Sequence, residues 1–207
     1  MSFRSTSILL LAMGALALPA HAQETDPAAV PAPPATQDQA PPAPAPVTQA
    51  ELLDGLLGRL RLASSDDEAK LLEHGVWELW SRSGSPTADL LVEQAMKASN
   101  AGQTVKAIAI LTTVIDANPT YAEAWNKRAT VYYTIGDYDH SLADIAKVLE
   151  LEPRHFGALA GQGMIYNAQG KSADAIRSLK RALAINPHLE AAQKALKEIE
   201  SDYERDI

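Results

Sequence analysis

From Thr48 onward the apolar positions recur at helical spacing, and no stretch shows the strict alternation of a half-buried strand. Leu52, Leu53, Leu56, Leu57 and Leu60 form one face, and Thr48 with Glu51 has the spacing of a capping box at its start. Gly55 and Gly58 weaken that helix, so packing has to hold it. A second box, Ser65 and Glu68, opens a helix whose inner face is Leu72, Val76, Leu79 and Trp80 and which ends near Ser83-Gly84-Ser85-Pro86. Together these predict a leading helical hairpin over 48–85.

The rest of the chain repeats. Pro86, Pro119, Pro153 and Pro187 fall 33, 34 and 34 residues apart, and counting the proline itself eight columns recur three times. A large residue early in the first helix is Leu91, Trp125 and Leu159. Four positions on comes a small one, Ala95, Ala129 and Gly163. An aromatic follows at Tyr132 and Tyr166, with Ala98 in its place in the first unit. The turn glycine is Gly102, Gly136 and Gly170, suited to a left-handed C′ conformation. The second helix offers Ala107, Ser141 and Ala175, then Leu111, Ile145 and Leu179, then Val114, Val148 and Ala182.

This period and these residues resemble the tetratricopeptide repeat (TPR) family. The resemblance implies an all-α helix-turn-helix solenoid with three repeats, 86–119, 120–153 and 154–187. The leading hairpin is then a divergent TPR-like cap ahead of the first repeat. A capping helix over 188–207 closes the other end, with Leu189, Ala192, Leu196, Ile199 and Tyr203 as its apolar stripe.

Ahead of the helices the composition changes twice. Arg4, the apolar run Ile8 to Leu18 and Ala20-His21-Ala22 make residues 1–22 a cleaved secretory signal peptide. About 11 apolar residues at 1.5 Å each reach only about half of a 30 Å hydrocarbon core. Residues 23–47 hold eight prolines, no aromatic and no basic residue, a composition that predicts a disordered Pro/Ala-rich linker with a reach on the order of 75 Å. Its P-x-x-P spacings leave open a second role as a ligand for a proline-reading domain. Export and the small TPR architecture resemble periplasmic bacterial proteins, with secretion as the alternative.

Charge and cysteine usage remove other classes. The chain of 207 residues has a formal net charge of −8, the wrong sign for a phosphate-backbone binder. No cysteine is present, which excludes disulfides, thiolate metal sites and lipid-modified cysteine. The five histidines show no recognised ligand spacing, and no nucleophile-elbow, Walker or dinucleotide motif occurs. Asp137, Asp139, Asp144, Glu150 and Glu152 are read as solvated carboxylates on a turn and on an outer helix face. The expectation is a non-enzyme without cofactor or metal.

Family resemblance also implies a concave groove lined by the first helix of each repeat. Here its contact residues would be Val92, Met96, Asn126, Lys127, Thr130, Tyr133, Gly157, Ala160, Gly161, Met164 and Asn167. Gly157, Ala160, Gly161 and Met164 recur at i, i+3, i+4 and i+7 with little side-chain bulk, so a peptide or partner helix could approach closely. The carboxylate clamp of chaperone-tail TPR domains is absent: its positions carry Val92, Met96, Gly157 and Gly161, and only Lys127 is basic. The leading reading is therefore a protein-binding scaffold of the cell envelope with an unidentified protein partner. Alternatives are self-association through the Leu/Trp-rich hairpin, with Trp77 and Trp80 packing on another copy, or an accessory subunit of a cell-wall enzyme. The groove could also be filled by the leading hairpin or by the C-terminal helix.

Overall fold

The computed structural model describes residues 46–205, so the export signal and nearly all of the Pro/Ala segment lie outside the described residues. Among the described residues nine α-helices occur and no strand: α1 (Gln49–Arg61), α2 (Asp66–Trp80), α3 (Pro86–Asn100), α4 (Thr104–Ala117), α5 (Ala122–Thr134), α6 (Tyr138–Leu151), α7 (Phe156–Ala168), α8 (Ser172–Ile185) and α9 (Glu190–Arg205). None is long and apolar enough to cross a membrane.

Local chemistry sets the helix ends. Thr48 and Glu51 form a complete capping box on α1. At α2 the Ser65 hydroxyl accepts from the Glu68 N–H, but the Glu68 carboxylate turns to Ser64 rather than Ser65, so the second box is half made. Ser85 caps α3, with Pro86 inside its first turn where no N–H is needed. Between the helices of each repeat the chain reverses at Gly102, Gly136 and Gly170, with φ of 73°, 75° and 71°. A side chain at those positions would strain the backbone.

Three antiparallel helix pairs, α3/α4, α5/α6 and α7/α8, stack in chain order, and α9 packs on α8. Ala95 and Ala129 are buried at the helix crossings. Gly163 is required there, because a Cβ would come within 2.7 Å of Leu179 Cγ. Among the structural columns, Leu91 packs half-buried in the first repeat, Leu159 is fully buried, and Trp125 donates its indole N–H to the Pro119 carbonyl at 3.0 Å. Tyr132 stacks on His140, and Tyr166 joins the cluster around Leu179 and α9.

The leading hairpin departs from the expectation that it caps the first repeat. Leu53, Leu57, Leu60, Leu72, Val76, Leu79 and Trp80 share one apolar cluster with Phe156, Leu159 and Ala182 of the third repeat. The cluster of the first repeat contains no residue of α1 or α2. Polar fixings trace the course of α2. Tyr121 donates to the Ser81 carbonyl at 2.8 Å, Asn186 to Glu73 at 2.9 Å, and His188 Nδ1 lies 2.7 Å from Asp66. Arg154 reaches Asp54 on α1 at 2.6 Å. The hairpin thus runs as a brace along the loops that precede α5, α7 and α9. Phe156, fully buried, supplies an apolar anchor that the corresponding start of α3 lacks, where Ala88 and Leu91 are only half-buried.

Candidate protein-binding groove

The brace ends where the groove begins. A Cβ on Gly157 would lie 2.6 Å from the indole of Trp77, so only glycine at this position admits the ring. Trp77 meets Trp80, His155 and Phe156 edge-on, with centroids 5.2, 5.4 and 5.5 Å apart, and Trp80 stacks flat on His155 at 4.1 Å. Trp80 is buried within the chain, whereas Trp77 is half-buried and keeps part of its ring at the surface. Trp80 Nε1–H finds no acceptor among the described residues.

Beside the rings lies a buried charge network that sequence reasoning missed. Glu123 and His155 have fully buried side chains. The Ala158 N–H donates to His155 Nδ1 at 3.1 Å, which leaves Nε2–H to donate to Glu123 Oε2 at 3.1 Å. Asn126 donates to the same oxygen at 3.1 Å. Lys127 Nζ sits 2.6 Å from Oε1, a close ionic contact without hydrogen-bond alignment, and 5.5 Å from the centre of the Trp77 ring. Burial pushes the Glu123 carboxyl up, but the His155 hydrogen bond and the Lys127 charge outweigh it and hold the group below the usual carboxylate range. Lys127 is thus neutralised from within and is no free cation for an acidic ligand.

The expected groove residues divide by place. Asn126, Thr130 and Tyr133 from α5 face Gly157 and Gly161 from α7 across a cleft of about 170 Å³, floored by Ala129, Ile145 and Ile165. Thr130 and Tyr133 are exposed, and Tyr133 lies 5.9 Å from Tyr138, centroid to centroid. Met164 and Asn167 are exposed on α7 outside the cleft lining. Met96 is half-buried, and Ala160 packs between the hairpin and the α9 cluster. Val92 is a correction: it is buried with Ala95 and Leu111 in the first-repeat core and presents nothing to a partner.

Asp144 is a second correction. It is 4% exposed, not solvated, and takes both Nε and Nη2 of Arg128 at 2.8 Å, while Nη1 donates to Thr112. These hydrogen bonds hold the guanidinium above its usual range and tie α5 to its neighbours α4 and α6. Among the described residues no cluster of His, Cys, Asp and Glu is arranged to hold a metal ion.

Stacked helical hairpins with a glycine turn in each, a small residue at every crossing and a concave cleft define an α-solenoid of the repeat-protein class. The tetratricopeptide repeat family model matches residues 92–144 and 126–190. A TPR repeat-containing protein of Rhizobium etli is 37% identical over 142 residues, which cover 69% of this chain and 70% of the relative. The chain belongs to the tetratricopeptide repeat family. In fold it is similar to the Sgt2 TPR domain of Aspergillus fumigatus (TM-score 0.56, 17% identity, 59% of this chain and 82% of that one). It is also similar to the first TPR domain of Spaghetti (RPAP3), solved with an HSP90 peptide (TM-score 0.54, 23% identity, 56% of this chain and 92% of that one).

Proposed function

We propose that this protein is a non-enzymatic scaffold of the bacterial cell envelope that binds a peptide or helix of a partner protein in the cleft between α5 and α7. One observation carries the reading: Asn126, Thr130, Tyr133, Gly157 and Gly161, drawn from two repeats, converge on a single open cleft with an apolar floor and a polar rim. The rim can order a peptide backbone, and the floor takes an apolar side chain. TPR domains mediate protein–protein interaction, which supports this use of the cleft. Export by residues 1–22 and residence in the periplasm accompany the proposal, supported by the leader pattern. Secretion is the alternative destination.

A photo-crosslinking residue at Tyr133, compared with the same label in a Gly161→Phe background, tests the site. A Cβ at Gly161 meets only Ile145 at 3.7 Å, so the new ring fills the cleft without backbone strain. Loss of the crosslinked partner in the Gly161→Phe chain is expected. Equal crosslinking in both chains would remove the cleft from the proposal.

A further inference from the structure

Among the described residues, nothing covers the outer face of α1. Glu51, Leu52, Gly55, Gly58, Arg59 and Leu62 follow one another at helical spacing, all exposed, on the side of α1 away from buried Leu53, Leu57 and Leu60. Leu52 is 48% and Leu62 76% exposed. Beside them an apolar groove of about 390 Å³ runs between α1 and α2, lined by Leu52, Gly55, Leu56, Arg59, Gly75 and Glu78. Among the described residues nothing lies within 4 Å of a Cβ at Gly55 or Gly58, so none of their contacts requires either glycine, although each costs a helix about 1 kcal/mol relative to alanine.

We infer that this face docks a second copy of the same chain, α1 against α1 in antiparallel about a two-fold axis at Gly55. Charge and shape select that occupant. In such a pairing, residues equally far before and after Gly55 meet. Glu51 then faces Arg59 of the other copy, and Arg59 faces its Glu51. Leu52 enters the space left by Gly58, and absent side chains at Gly55 let the backbones approach at the axis. Glu51 spends Oε2 on the Thr48 cap and keeps Oε1 for a second donor. Arg59 has no ion pair among the described residues. A two-fold contact uses each complementary pair twice and closes on itself. It also covers Leu52 and the α1–α2 groove without touching Trp77, Trp80 or the cleft at Tyr133.

Sedimentation of the full chain at micromolar concentration tests this. A dimer is expected for the wild type, and Arg59→Glu, which sets carboxylate against carboxylate twice, is expected to weaken it by about tenfold or more. Mixing Arg59→Glu with Glu51→Arg restores both pairs in a heterodimer, and recovery of the dimer in that mixture also shows that loss of the Glu51 cap has not unfolded the helix. Gly161→Phe should leave the dimer intact, which separates this surface from the cleft. A monomeric wild type, or an Arg59→Glu chain as dimeric as wild type, would overturn the inference. A mixture that stays monomeric would overturn its antiparallel register.

Discussion

The first and third repeats share a plan but are finished differently. Repeat 1 is filled by Val92, Ala95, Ala98, Ala107, Leu111 and Val114, and its Leu90 and Val105 remain exposed. Repeat 3 is covered twice, by α9 on α8 and by the brace of α1 and α2 around Phe156 and Leu159. A solenoid end can therefore be closed by a segment distant in sequence, and chain order does not decide which end receives the cover. Stability should rise from repeat 1 toward repeat 3, since in a linear array each unit is held by its neighbours.

The sharpest way to abolish the difference is Phe156→Ala. Removing a fully buried ring from the brace interface should cost about 3–5 kcal/mol in urea unfolding, and amide exchange should show α1 and α2 losing protection while α3 to α6 keep theirs. Asp144→Ala is the control outside the brace. It strands a largely buried guanidinium partner and should cost about 3 kcal/mol, with the loss spread over repeats 1 and 2 in the same exchange experiment. Gly157→Val drives a branched side chain into the Trp77 ring and should destabilise by about 1–3 kcal/mol, accompanied by a shift in tryptophan emission as Trp77 leaves its site.

The smallest effect is pH-dependent. The Asp66 hydrogen bond, helped by the Ala63 carbonyl, raises the His188 imidazole above its usual value. A raised folded-state value means stabilisation that is complete below the unfolded value, about 6.5, and is lost as pH rises through the folded one. The hold of α2 on the start of α9 should weaken as pH rises above about 6.5, and His188→Asn should flatten that part of the profile. Glu123 acts at the other end of the scale. Its lowered value makes its contribution complete above the ordinary carboxylate range and lost as pH falls through the folded value.

The repeats were legible because their determinants are local. A 34-residue period, the glycines of the turns and the small residue four positions after Leu91, Trp125 and Leu159 each report a geometry made within one hairpin or between adjacent ones. The brace was not legible, because Trp77 and Gly157 stand 80 residues apart and no periodicity links them. Gly157 read as a groove position that the leading hairpin could fill, and its missing side chain both lines the cleft and makes room for an indole of that hairpin. Asp144 read as solvated because an acidic residue on a helix carries no mark of its partner. Arg128, 16 residues earlier on the paired helix, is what buries it. Val92 shares an apolar identity with groove residues and core residues alike, and only the packing of α3 on α4 places it in the core. Of the groove residues, Asn126, Thr130, Tyr133, Gly157 and Gly161 converge because adjacent first helices run side by side, a relation that the repeat period already contains.

The central claim, that the leading hairpin braces the third repeat and not the first, can be tested by distance. The chain has no cysteine, so paired labels are unambiguous. Lys70 on α2 and Glu190 on α9 lie 3.7 Å apart, charge to charge. Spin labels at Lys70→Cys and Glu190→Cys should give strong short-range dipolar broadening that disappears in the Phe156→Ala background. A long, broad separation between those two labels in the otherwise unchanged protein would contradict the brace.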